Sequence, residues 1–139
     1  MGTSLDGGRN PVAVVEELYS KFAAIDPDEL VEFFTENAYI QPVMKDPYEG
    51  REGIRRMFGL WANFGNVVTP LRNIVGNDRV VFTEWLDQSD FGGKHYAVPC
   101  VGVFEFEGDK IAAWRLYYDS AAEVSSEQSG LNARKVPAS

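Results

Sequence analysis

Asp87 has the strongest claim on chemistry in this sequence. It ends the run Thr83-Glu84-Trp85-Leu86-Asp87, which reads as a β-strand, so Val81, Thr83, Trp85 and Asp87 leave one face together. A carboxyl group held against an aromatic side chain loses hydration. That loss disfavours the charged form and raises the pKa toward the range where a general acid or base works at neutral pH. The competing reading is that Asp87 lies near a strand end, just before Gln88-Ser89-Asp90, and faces water.

Other chemistry is narrowed by simple counts. Cys100 is the only cysteine and His95 the only histidine, which excludes an internal disulfide, a thiol cluster for zinc and a multi-histidine metal centre. No metal and no other cofactor is expected. Cys100 has no neighbouring base in the sequence and reads as a small core residue. His95 follows Gly92-Gly93 and alternates onto the face opposite Tyr96, so it reads as a surface or subunit-contact residue. The formal charge of −8 repels phosphate backbones and anionic lipid, so neither nucleic acid nor membrane is an expected partner. No apolar stretch reaches the length of a membrane span. The opening residues MGTSLDGGRN lack a basic segment followed by an apolar run, and the expected location is cytoplasmic.

These residues need elements to hold them. The 139 residues, 45% apolar and 13% aromatic, suffice for one domain with its own core. Residues 1–9 read as a flexible leader, 10–119 as the domain, and 120–139 as a tail in which Leu131 and Val136 could lie back on the body. Asn10 offers a helix cap and Pro11 suits the first helical position; Val15, Leu18, Tyr19 and Phe22 follow as one apolar stripe. Asp26 with Glu29 has the spacing of a capping box ahead of a second short helix carrying Leu30, Val31, Phe33 and Phe34. Ala38 to Val43 reads as a strand that Pro42 pushes to an edge or bulge. Gly50 to Gly53 opens a third helix with Ile54, Met57, Phe58, Trp61 and Phe64 on one side. Four strands follow, at 67–75, 79–88, 94–107 and 110–119, joined at Gly76-Asn77-Asp78, Gly92-Gly93 and Gly108-Asp109. Helices first and a strand meander afterwards imply an α+β fold with a mostly antiparallel sheet.

The long strands are apolar on both faces. Tyr96, Val98, Cys100, Phe104 and Phe106 share one side of their strand; Ala97, Pro99, Val101 and Val103 share the other. A half-exposed antiparallel sheet would alternate more cleanly. Helices can cover one face, and a second copy of the chain is the simplest cover for the other, giving a homodimer through the outer sheet face. Glu84 is the odd residue on that outer face, with Arg115 or another arginine as its expected partner. Arg115 shares a face with Tyr117 and Asp119, so an ion pair to Asp119 is a further expectation.

The order and spacing of Tyr19 to Phe22, Asp28 to Asn37 (DELVEFFTEN), Tyr48 to Phe58 (YEGREGIRRMF), Val80 to Asp87 (VVFTEWLD), Val101 to Phe106 (VGVFEF) and Asp109 to Asp119 (DKIAAWRLYYD) resemble the nuclear transport factor 2-like, or SnoaL-like, superfamily. The resemblance covers about residues 11–119. It implies a cone: a strongly bent sheet wrapped around the N-terminal helices, with a deep pocket between. Within the superfamily the chain is most similar to the limonene-epoxide hydrolases, whose mechanism uses two aspartates bridged by an arginine, with a tyrosine and an asparagine steering water. Carried across, one aspartate falls on Asp87, the arginine on Trp85, the second aspartate on Leu116, and the water-steering pair on Ile40 and Pro42, so only Asp87 is kept.

The same resemblance turns the face of Trp85 and Asp87 toward the pocket and lines it with Trp61, Tyr96, Trp114, Leu116, Tyr118 and, from the first helix, Tyr19. For any one aromatic, ordinary core is the competing reading; the case rests on their number. The expected ligand is a small apolar, polyketide- or terpenoid-like molecule. Three functions follow: an acid/base isomerase, dehydratase or cyclase using Asp87; a non-catalytic ligand binder; or a dimeric interaction module. Epoxide hydrolysis ranks below the first, because Leu116 stands where a base for water is needed.

Overall fold

The computed structural model describes residues 9–122. The leader apart from Arg9, and the tail beyond residue 122 with Leu131 and Val136, lie outside the described residues. Helix α1 spans Pro11–Ser20, and the Asn10 side chain accepts a hydrogen bond from the Ala13 amide at 2.9 Å. This satisfies one of the donors that a helix start leaves free. Its stripe of Val14, Val15, Leu18 and Tyr19 is buried.

Helix α2, Pro27–Leu30, is one turn, and a 3-10 turn at Val31–Phe33 continues it. Asp26 caps it through the Asp28 amide at 3.1 Å, but Glu29 does not return the bond: its carboxylate pairs with Lys21 at 2.8 Å. The expected capping box is therefore half made. Phe34, expected on this helix, opens strand β1, Phe34–Pro42. Strand β2, Tyr48–Glu49, leads into helix α3, Gly50–Trp61, where Ile54, Met57 and Phe58 are buried as the spacing predicts.

The strand expected at 67–75 is two strands, β3 (Gly65–Val68) and β4 (Leu71–Gly76). Pro70 separates them, since it has no amide hydrogen to give a ladder. Strands β5 (Val80–Phe91), β6 (Lys94–Glu107) and β7 (Lys110–Tyr117) complete a seven-stranded sheet in the order β2-β1-β7-β6-β5-β3, with β4 also paired to β5. Every pairing is antiparallel except β1 with β7. The turn between β5 and β6 is Gly92-Gly93, with φ of 60° and 78°, the left-handed pair that a two-residue hairpin loop needs.

The sheet is strongly curved and does not close, and with the N-terminal helices it forms the α+β cone of the SnoaL-like fold. Its concave side holds an aromatic core in which Trp114 and Phe104 stack at 4.7 Å and Phe22 lies parallel to Trp114 at 6.0 Å. Gly102 sits beneath them because a side chain has no room there: a Cβ would come within 2.8 Å of Thr83 Oγ1 and Trp114 Nε1. β5 and β6 outreach their neighbours. β7 pairs with β6 only from Val101 onward, and β4 pairs with β5 only as far as Trp85. Among the described residues the distal hairpin, 86–99, therefore projects past these neighbours with β3 as the one strand beside it.

Candidate functional site

A cavity of about 180 Å³ opens where that projecting hairpin, β3 and the C-terminal end of α3 meet. It is somewhat larger than the ~150 Å³ apolar cavity that accepts a benzene molecule. Alternation along the strands sets its wall. Trp85, Asp87 and Ser89 reach it from β5, and Tyr96, Val98 and Cys100 from β6. Trp114 and Leu116 come from β7, with Tyr118 just beyond, and Trp61 closes the corner from the end of α3. Of the aromatic and aliphatic residues expected to bind a ligand, Trp61, Trp85, Tyr96, Trp114, Leu116 and Tyr118 all border this cavity, together with Asp87.

Tyr19 does not border it. Its hydroxyl hydrogen-bonds Thr83 Oγ1 at 3.0 Å and its ring meets Trp85 edge-on at 5.2 Å. The stripe of α1 lays Tyr19 on the floor of the sheet, behind Trp85, where burial raises its pKa well above the usual phenol value. The wall also includes Phe22, Tyr48, Lys45, Phe64 and Val67, which carry no comparable sign in the sequence. Ser89, Val98 and Cys100 were legible by parity alone, each standing two residues from a wall residue on its own strand. Cys100 is as buried as a core residue, and burial followed by the nearby Asp87 pushes its thiol pKa up, which keeps it protonated and a poor nucleophile.

Asp87 is the one acidic side chain on the wall among the described residues, and none of them gives it a hydrogen bond or an ion pair. Its surface is partly accessible, and it borders the cavity. Burial raises its pKa to about 6. Two polar atoms are fully buried without a partner among the described residues, Tyr96 OH and Trp114 Nε1. The indole nitrogen lies over the backbone of Gly102, on the floor of the sheet. Of the positions the hydrolase resemblance assigns to catalysis, Trp85, Leu116 and Pro42 border the cavity with Asp87, while Ile40 is fully buried and does not. No arginine and no second carboxylate borders it among the described residues.

The polar partners expected on the outer face are different ones. Glu84 accepts from Asn73 Nδ2 at 2.8 Å, not from an arginine. Arg115 pairs with Glu105 at 2.5 Å and donates to Tyr39 at 2.8 Å. Asp119 accepts from the Ala121 amide at 3.0 Å, as a cap to the turn at Ser120–Ala122. Arg115 finds Glu105 because β6 and β7 place Val103, two residues from Glu105, opposite it, a neighbour that the sequence of one strand does not show. His95 sits on the projecting hairpin with its Nδ1 2.6 Å from Asp90.

A model of the SnoaL-like domain matches residues 15–114. Among solved structures, SalBIII, described as an epoxide hydrolase/cyclase-like enzyme with a role in pyran ring formation in the polyether salinomycin, is 27% identical, with a TM-score of 0.70 over 77% of this chain and 88% of its own. An LEH-like epoxide hydrolase of M. tuberculosis is 22% identical, with a TM-score of 0.67 over 78% and 82%. A protein of ketosteroid isomerase-like fold from Catenulispora acidiphila DSM 44928, in complex with trimethylamine, is 20% identical, with a TM-score of 0.72 over 85% and 92%. The last two show the shared fold. No helix among the described residues is long and apolar enough to cross a membrane.

Proposed function

The chain belongs to the SnoaL-like domain family, and on that premise we propose that it is a cofactor-independent enzyme in which Asp87 moves a proton on a small, mainly apolar substrate. The reaction class is an isomerisation, dehydration or cyclisation of a polyketide- or terpenoid-like molecule. One observation carries this reading: a lone carboxyl group, unpaired among the described residues, with its pKa raised to about 6, on the wall of an aromatic cavity. A group with that pKa is ionised often enough to accept a proton near neutrality and acidic enough to return it. The similarity to SalBIII favours cyclisation. When a hydroxyl closes on an epoxide within one molecule, a C–O bond forms and another breaks. Asp87 would take the hydroxyl proton and return it to the oxygen set free, so no water or second carboxylate is consumed. Epoxide hydrolysis ranks lower, because no second carboxylate or arginine stands on the wall among the described residues to activate water.

The reading includes the outer sheet face as the contact surface of a homodimer, supported by the exposure of Phe82, Val101 and Tyr117 at 49%, 42% and 48%. It also includes a cytoplasmic location.

The direct test offers the protein a panel of epoxy-alcohols able to close to pyrans, and follows ring closure by chromatography. Asp87→Asn keeps the shape of the side chain and removes proton transfer. It should lower turnover roughly a hundredfold or more with affinity largely kept. An unaltered rate in Asp87→Asn would take Asp87 out of the mechanism. Tight binding of panel members with no turnover would favour a non-catalytic carrier.

A further inference from the structure

The same cavity has a property that proton transfer does not use. Among the described residues no side chain gives the Asp87 carboxylate a hydrogen bond or an ion pair, although Lys45 also borders the cavity. Aromatic side chains share the wall with it, Trp61, Trp85, Tyr96 and Tyr118 among them; Trp61 meets the fully buried Trp114 nearly perpendicular at 5.9 Å and is the tryptophan with the most accessible surface. Two physical effects then favour the same guest. A buried carboxylate is strongly stabilised by an opposite charge once both are out of water. Aromatic faces attract a cation through the ring quadrupole, most of all for Trp, and most effectively where water is excluded. The net charge of −8 raises the local concentration of any cation approaching the mouth.

We propose that this cavity is a binding site for an alkyl-substituted ammonium ion, with the charged nitrogen beside Asp87 and its alkyl groups against Trp61 and Trp85. Alkyl substitution matters because an apolar wall cannot replace the three hydrogen bonds of a primary ammonium, whereas a tertiary or quaternary centre asks for few or none. The cavity volume of about 180 Å³ suits a head group of that kind. The inference shares with the proposed enzyme reading only the premise that the cavity takes a small molecule. It does not depend on Asp87 transferring a proton. A bound amine of this class would occupy the carboxylate and compete with any neutral substrate.

The probes are choline and 3,3-dimethyl-1-butanol, which has the same shape with a carbon in place of the charged nitrogen. Binding to the full-length protein is measured by calorimetry or by tryptophan fluorescence at near-physiological salt, where exposed charges are screened. At about pH 7.5 choline should bind at least roughly tenfold tighter than the neutral alcohol. Taking the solution to about pH 5 protonates Asp87, whose pKa is about 6, and should remove most of that preference. The other ionisable groups on the wall among the described residues are Lys45, Cys100 and the tyrosines Tyr48, Tyr96 and Tyr118, so the assignment to Asp87 is checked by substitution. Asp87→Asn should lose the preference at both pH values while melting no lower than wild type, and Trp85→Phe should weaken choline more than the alcohol. Equal binding of the two probes by wild type would overturn the proposal and leave the enzyme reading standing. So would a preference that survives in Asp87→Asn, which would mark a general attraction to an acidic surface. Failure of both probes to bind would overturn this proposal and the small-molecule premise together.

Discussion

The two faces of strand β5 treat their acidic residues in opposite ways. On the outer face Glu84 has Asn73 at 2.8 Å, and on the neighbouring strand Glu105 has Arg115 at 2.5 Å. On the inner face, a few residues along the same strand, Asp87 has no partner among the described residues and its pKa is raised to about 6. Water reaches the outer face freely, so a carboxylate there costs little even unpaired, and yet it is paired. The inner face is where an unpaired carboxylate is costly, and there it stands unpaired. A fold that pairs these exposed acids and leaves the one on the cavity wall open tolerates a local cost, as the proton transfer proposed for Asp87 would require.

The largest effect expected from breaking this contrast lies on the outer face. If Phe82, half exposed in the single chain, is buried against a second copy, Phe82→Asp places an unpaired charge in that contact. Sedimentation of wild type at micromolar concentration should show a dimer, and Phe82→Asp a monomer or insoluble protein. A wild-type chain that sediments cleanly as a monomer would show that the outer face is simply solvated.

The next effect lies beneath the aromatic core that backs the cavity. Gly102→Val asks for a side chain where even a Cβ stands 2.8 Å from Thr83 Oγ1 and Trp114 Nε1. Neither neighbour is a free side-chain end: Thr83 is tied to Tyr19, and Trp114 is stacked on Phe104. Thermal or denaturant unfolding should register a loss of about 2–3 kcal/mol or more. A loss under about 1 kcal/mol would mean that this core yields, and that the cavity shape is less fixed than the packing implies.

The sequence carried the inner face better than its surroundings. Period-two alternation places Trp85 with Asp87, and Tyr96 with Val98 and Cys100, whatever the rest of the chain does. The Gly92-Gly93 turn was legible because only such a pair takes two positive φ values readily. Four things were not legible, each because its cause lies outside the local pattern of its own element. Phe34 belongs to β1 because β7 pairs with it at Ile111, whereas its neighbours suggest a helix. Glu84 meets Asn73 only because β4 pairs with β5 through a register shift between Leu71 and Asn73. Tyr19 lies behind Trp85 because of how α1 is seated on the sheet, which its own stripe does not specify. The contribution of Phe64 and Val67 to the wall depends on the break at Pro70, which frees β3 to pair with the projecting half of β5.

A smaller effect tests the cost assigned to Asp87. Its folded pKa of about 6 lies above the value near 3.8 expected when solvated, so the native state holds the proton more tightly than the unfolded chain does. Between about pH 4 and pH 6 the unfolded state therefore binds fewer protons than the native state, and stability falls as pH rises through that window. Above about pH 6 the cost is fully present. Asp87→Asn removes it and should be more stable than wild type at pH 7.5 by about 1–3 kcal/mol, with the gain shrinking toward zero near pH 4. Comparing the two proteins at each pH isolates this one group from the other carboxylates. A variant no more stable than wild type at neutral pH would mean that the carboxylate is solvated through the cavity mouth.

The smallest effect is the control on the opposite face. Glu84→Gln is the same chemical change as Asp87→Asn, made on the same strand with the side chain pointing the other way. Glutamine keeps the oxygen that accepts from Asn73 Nδ2, and the pair lies where water can reach it. What is lost is one charge-assisted hydrogen bond at the surface, which is worth little after solvent competition. Unfolding at about pH 7.5 should differ from wild type by less than about half a kcal/mol. The sign is informative as well: a slight loss fits a paired carboxylate, whereas Asp87→Asn should give a gain. If Glu84→Gln stabilised the protein as much as Asp87→Asn, the gain would report relief of the overall charge of −8 and not relief of a buried carboxylate. The distinction between the faces would then fail. With the two variants moving in opposite directions, the charge held at Asp87 is a local cost of the cavity, maintained in a strand whose other face shows how easily it could have been paired.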